Sequence, residues 1–137
     1  MTQHFQGLLD TSTVISLGQL DPAQLPAEPL ITAVTLAELS VGPLVASSDG
    51  DRAARQRHLQ YAEADFDPIP FDGAAARAFG QVAADLRRAG RKPTARAFDA
   101  MIAATAIAAE LPIFTCNPAD FKGIQSLELV SVDHPGQ

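Results

Sequence analysis

The chain has 137 residues, 47% hydrophobic and 19% charged, a profile that suits one compact domain with a single core. Sixteen acids against ten bases leave a net charge of −6, which excludes whole-molecule attraction to a phosphate backbone and leaves any nucleic acid to be handled locally. The single cysteine, Cys116, excludes an internal disulfide framework or a cysteine zinc cage and points to a reducing cytoplasm, while MTQHFQG lacks a basic leader and no run of about 18 apolar residues follows, which disfavours secretion and membrane spanning.

No internal repeat or low-complexity linker divides the chain, so one domain is expected over 1–137, with 1–6 and 134–137 as frayed tails. Gly7 to Asp10 read as a short buried strand, followed by a helix through Val14, Ile15 and Leu17 to Gly18. The stretch from Asp21 to Pro29 holds three prolines and reads as a loop; Leu30 to Thr32 then form a second strand and Thr35 to Val41 a helix. Gly42-Pro43 breaks that helix, Ser47 to Gly50 turn, and a polar helix runs from about Asp51 to Ala64. Asp67 to Phe71 look like a third strand, placed at an edge because Pro68 and Pro70 cannot donate to a ladder. Ala75, Phe79, Val82, Ala83 and Leu86 recur at helical spacing from Asp72 to Ala89, and Gly90 supplies the stop. A helix from about Ala95 to Ala109, a strand from Pro112 to Thr115, a single helical turn from Pro118 to Phe121 and a strand from Leu127 to Val132 complete the order.

About five short apolar strands alternating with helices imply an α/β fold, a mainly parallel sheet covered on both faces. Ligands of such sheets collect at the carboxyl ends of the strands, near the switch in strand order. Asp10 ends the first strand there, although N-capping also explains an Asp at that position. Thr35-Leu36-Ala37-Glu38 matches a capping box with Glu38 at N3, which alone would account for that acid. Asp99 begins an alanine-rich helix on the same face as Ile102, Ala103 and Ala106, where an unpaired carboxylate would neutralise or recruit a cation; Arg96 is the nearby candidate partner. Asp120 takes the third helical position after Asn117 as N-cap and Pro118 as N1. Four carboxylates at helix starts beside strand ends should converge on one edge, and their repulsion calls for a hard divalent cation such as Mg2+ or Mn2+.

Leu8-Leu9-Asp10-Thr11-Ser12, Thr35 to Leu39, Phe98 to Ala106 and Thr115 to Phe121 together resemble the PIN-domain signatures, and most closely those of VapC toxins of bacterial toxin–antitoxin pairs. The likeness covers essentially the whole chain in order. It implies a PIN-like three-layer α/β/α sandwich, an Mg2+- or Mn2+-dependent endoribonuclease with one or two ions per site, a homodimer and a VapB-like antitoxin. Carried over by position, Asp10, Glu38 and Asp99 match metal-holding acids and Asp120 the fourth acid, while Thr11, Ser12 and Thr115 match hydroxyls that orient a carboxylate or water. Some PIN domains place an acid where this chain has Asn117, so the resemblance leaves open whether Asp120 or Asn117 completes the site. Structured RNA of the translation apparatus, transfer or ribosomal, is the implied substrate.

Five of the ten cations, Arg87, Arg88, Arg91, Lys92 and Arg96, fall just before Asp99. They read either as a solvated helix end that complements the helix dipole or as a track for an RNA backbone. The three histidines read as solvated surface, and the apolar residues of the early helices, Val14, Ile15, Leu17, Leu36, Leu39, Val41 and Leu44, suggest a covered face in a dimer. Asp10-Thr11-Ser12 lacks the second acid that a haloacid-dehalogenase-type phosphatase needs. The remaining alternative is a catalytically idle binding or regulatory module that keeps the same acids.

Overall fold

In the computed structural model, which describes residues 5–136, four short parallel strands carry the fold; residues 1–4, including His4, and residue 137 lie outside the described residues. The strands are β1 (Gln6–Leu9), β2 (Glu28–Leu30), β3 (Ile113–Thr115) and β4 (Leu129–Ser131), and the helices are α1 (Thr11–Ile15), α2 (Ala33–Val41), α3 (Asp49–Asp65), α4 (Gly73–Arg88) and α5 (Ala97–Ala109). Single 3-10 turns at Pro93–Arg96 and Pro118–Phe121 flank α5 and β3. The sheet order is β2-β1-β3-β4, all parallel, so the chain leaves β1 toward one neighbour and later returns to its other side. The switch in direction therefore lies between the carboxyl ends of β1 and β3.

Strand alternation explains why the sheet is covered twice. Leu8 and Ile113 pair in register and send their side chains into a cluster with Val82 and Leu86 of α4 and Ile102 of α5. The next pair, Leu9 and Phe114, enters a second cluster with Val14 of α1, Leu39 of α2 and Ala62 of α3. Leu8, Leu9 and Ile113 are fully buried, each worth about 1.5–3 kcal/mol in transfer terms. Ala100, Ala103, Ala104 and Ala106 are equally buried, and these small side chains let α5 lie close against α4 and the sheet. Gly7 is required for similar reasons: a Cβ there would collide with the Phe114 ring.

Four expectations change. The stretch 67–71 is not a fifth strand, because with Pro68 and Pro70 flanking it only Ile69 can pair. Ile69 N donates to Ile31 O at 3.0 Å, Ile69 O accepts from Ala33 N at 2.8 Å, and the ladder stops at this one parallel bridge. β2 ends at Leu30 rather than beginning there, which frees Thr32 to cap α2 by accepting from Thr35 N at 3.1 Å. The helix expected from Ala95 begins at Ala97, after the 3-10 turn. The frayed start expected over 1–6 gives way at Gln6, which opens β1 opposite Glu28, with Glu28 N donating to Phe5 O at 2.7 Å.

Candidate active site

Asp10 follows directly on β1 at the switch point and is 2% exposed. Its Oδ1 accepts from Thr13 Oγ1, and its Oδ2 accepts from Thr115 Oγ1 at 2.9 Å and from Ser12 Oγ at 3.2 Å. Two of these hydroxyls are themselves oriented by main-chain donors: Cys116 N donates to Thr13 Oγ1 at 3.1 Å and Asn117 N to Thr115 Oγ1 at 2.9 Å. Each hydroxyl has a lone pair occupied by an N–H, which turns its proton toward Asp10. Burial raises the Asp10 pKa above the ordinary carboxylate value; the hydroxyls of Thr13, Thr115 and Ser12, and least the Thr13 N–H, pull the other way. Helix capping is thus the smallest of its roles.

Glu38 does not form a capping box. The N-cap of α2 is Thr32, so Thr35 is the third helical residue and Glu38 lies in the second turn. From there its Oε1 accepts from Thr11 Oγ1 at 2.6 Å, and Thr11 Oγ1 also stands 3.0 Å from Thr35 Oγ1, which ties α2 to α1. Burial, with the negative charge of Asp10 added, raises the Glu38 pKa against the pull of Thr11.

Asp99 sits in the first turn of α5, half-buried on the wall of a cavity of about 350 Å3 shared with Glu38, Thr94, Arg96 and Phe98. Among the described residues its carboxylate has no hydrogen-bond or ion-pair partner. Its pKa is raised from 3.8 to about 6, first by burial and then by the charges of Asp120, Glu38 and Asp10, with Arg96 opposing. Asp99 thus feels the charge of the other three acids. Arg96 pairs with Asp120 instead of Asp99, Nη1 to Oδ1 at 3.1 Å.

Asp120 is carried by the 3-10 turn Pro118–Phe121 after β3. Asn117 takes the N-cap position of that turn, but its side chain makes no capping bond; its Nδ2 donates to Ser12 Oγ at 2.9 Å and so reaches Asp10 through one hydroxyl. Thr13 is the residue that sequence reasoning missed, although it lies in the same hydroxyl run as Thr11 and Ser12. Among the described residues no three acids stand ready-made as a metal cage. Glu38 and Asp10 face hydroxyls and Asp120 faces Arg96, so the four share a field without yet sharing a ligand.

The cation run divides. Arg91 donates from Nη1 to Ala119 O at 3.1 Å and Lys122 O at 2.6 Å, and Arg88 pairs with the buried Asp85 at 3.3 Å. Arg87 and Lys92 are exposed and make no side-chain bond among the described residues. His58 is half-buried rather than solvated, between a cavity of about 450 Å3 bordered by Thr11, Glu38 and Arg55 and one of about 380 Å3 bordered by Val14 and Phe66. Of the apolar residues expected on a dimer face, Ile15, Val41 and Leu44 are exposed, as is Val45, whereas Val14 and Leu39 are buried in the core and so are not available to it.

Comparison with known proteins agrees with this architecture. Residues 8–125 match the PIN domain family. Ribonuclease VapC5 of Mycobacterium tuberculosis is 38% identical over 92% of this chain and 95% of its own length, and Ribonuclease VapC1 of Rickettsia felis is 29% identical over 91% and 95%. The solved VapBC-5 toxin–antitoxin structure from Mycobacterium tuberculosis superposes with a TM-score of 0.80, covering 93% of this chain and 99% of the other at 38% identity. VapBC2 from Rickettsia felis, bound to a DNA fragment from its promoter, shares the fold with a TM-score of 0.73 at 23% identity, over 93% of this chain and 99% of that one. The three-layer sandwich, the strand-end acids and these matches together make the chain a member of the PIN domain family, within its VapC group.

Proposed function

We propose that the chain is a VapC-type endoribonuclease toxin, dependent on Mg2+ or Mn2+, acting on structured RNA of the translation apparatus and neutralised by a VapB-like antitoxin. The observation that carries this is the unpaired Asp99 carboxylate facing a cavity in the combined field of Asp120, Glu38 and Asp10. An oxygen-only set of mutually repelling carboxylates suits a hard divalent cation, which removes the repulsion that the protein leaves uncompensated. The relatives' names, Ribonuclease VapC5 and VapC1, support the activity, and the VapBC-5 complex supports the kind of partner.

Asp10, Glu38, Asp99 and Asp120 would hold the cation, which when bound supplies an activated water and offsets charge growing on the phosphate. Asp10 enters this work already oriented, since Thr13, Thr115 and Ser12 fix its rotamer. Glu38 is held by Thr11, and Asn117 supports the site through Ser12. Arg87 and Lys92, exposed and without a side-chain bond among the described residues, are the cations best placed to follow an RNA backbone; Arg88, Arg91 and Arg96 would join only by leaving protein partners. The exposed apolar side at Ile15, Val41 and Leu44 supports a homodimer or an antitoxin contact. No described helix is long and apolar enough to cross a membrane.

The test is to map new RNA ends in total RNA after induction of the chain, alone, as Asp10→Asn, and together with a VapB-like antitoxin. Discrete new ends in transfer or ribosomal RNA with the wild type alone support the proposal. Growth arrest without new ends, or identical ends from Asp10→Asn, would favour an idle binding module.

A further inference from the structure

The Arg96–Asp120 ion pair joins two groups whose side chains are each 38% exposed, so it is partly screened and weak. It is also not what holds the Asp120 turn in place. Arg91 already binds two carbonyls of that segment, Ala119 O and Lys122 O. Gly123, at φ +95, packs so near the end of α4 that a Cβ would stand 2.8 Å from Ala89 Cβ. Asp85 Oδ2 accepts from Gln125 N at 3.2 Å just beyond. Arg96 is therefore a weakly committed cation on an independently anchored acid, and it lines the cavity that Glu38 and Asp99 share.

We propose that Arg96 competes with the divalent cation for Asp120 and, once displaced, presents its guanidinium to the substrate phosphate. This rests on the acidic cluster being a metal site. A cation on Asp120 removes the attraction that keeps the guanidinium there, and the planar fork then matches a non-bridging phosphate edge within the same cavity. Metal entry thus arms a phosphate contact that is otherwise spent inside the protein. Arg96 is a positioning residue toward Asp120 and a binding residue toward RNA.

The experiment titrates MnCl2 into the full chain by calorimetry for the wild type, Arg96→Gln and Arg96→Lys, and measures KM for an RNA hairpin that the wild type cleaves. Arg96→Gln should bind Mn2+ about two- to fivefold more tightly, the gain expected when a screened pair is lost, while KM rises about tenfold. Arg96→Lys, which keeps charge without the fork, should leave Mn2+ affinity near the wild type and still raise KM. Unchanged or weaker Mn2+ binding in Arg96→Gln would show a purely structural pair and overturn the inference. Tighter binding with an unchanged KM would overturn its phosphate half. If neither the wild type nor Arg96→Gln binds Mn2+, the metal reading of the site itself fails, an outcome distinct from the others.

Discussion

The two ends of the acidic cluster are held in opposite ways. Asp10, on the first strand, is 2% exposed and receives three hydroxyl protons, two of them aimed by main-chain N–H groups. Asp120, on a single 3-10 turn, is 38% exposed and pairs with the equally exposed Arg96. Between them Asp99 has charge around it and, among the described residues, no hydrogen-bond or ion-pair partner. The same residue type thus serves as a buried, hydroxyl-held anchor at the switch point and as a half-exposed, ion-paired member at the rim.

The comparison breaks most visibly at the anchor. Asp10→Asn should lower RNA cleavage by more than about 100-fold, since removing a residue that merely orients a ligand already costs about 10–100-fold. It should also destabilise the fold by about 1–3 kcal/mol in urea unfolding, because the new amide N–H₂ would face a hydroxyl already turned to donate. Retained activity would remove Asp10 from the site.

Thr13→Val tests the anchor without touching an acid. The swap keeps shape but strips Cys116 N of its acceptor and Asp10 Oδ1 of its donor. A loss of about 1–3 kcal/mol in stability and about 10–100-fold in cleavage is expected. Wild-type kinetics with normal unfolding would mean that Thr115 and Ser12 suffice.

Asp99 gives the pH signature of the middle. Its folded pKa is raised from 3.8 to about 6, so the metal-free folded state binds more protons than the unfolded chain between those values. The stability that protonated Asp99 contributes is full below about 4 and is lost as pH rises through about 6. Thermal unfolding in chelator should therefore show Tm falling across that window in the wild type, and a flatter profile with a higher Tm at neutral pH in Asp99→Asn. Parallel profiles would place Asp99 outside the shared field.

The smallest effect belongs to the exposed cations. Arg87→Ala with Lys92→Ala should leave stability within about 0.5 kcal/mol, raise KM modestly and make cleavage less salt-dependent. An unchanged salt slope would send the RNA track elsewhere on the surface.

Part of this arrangement is legible in the sequence because short apolar runs ending in Asp or Thr announce strand ends: Asp10 directly follows β1 and Asp120 sits on the turn after β3, whereas Glu38 and Asp99 are carried by α2 and α5. What is not legible depends on phase and on distant partners. Thr32-x-x-Thr35 and Thr35-x-x-Glu38 both fit an N-terminal cap, and only the end of β2 at Leu30 decides for Thr32. Thr11, Ser12 and Thr13 look alike as letters; the turn of α1 sends Thr13 inward to Asp10 and Thr11 outward to Glu38. The fate of Arg91 and Arg96 is set by a turn some 25–30 residues further on, which local patterning cannot register. Pro68 and Pro70 do signal an edge, but their spacing leaves room for one bridge rather than a strand.

The most direct measurement of the central claim is cleavage of a structured RNA by the purified chain in chelator, after restoring Mg2+ or Mn2+, and in Ca2+ alone, with Asp99→Asn alongside. Cleavage that disappears in chelator, returns with Mg2+ or Mn2+, stays poor in Ca2+ and is absent from Asp99→Asn in every condition is the predicted result. Equal cleavage in chelator, or by Asp99→Asn, would contradict it.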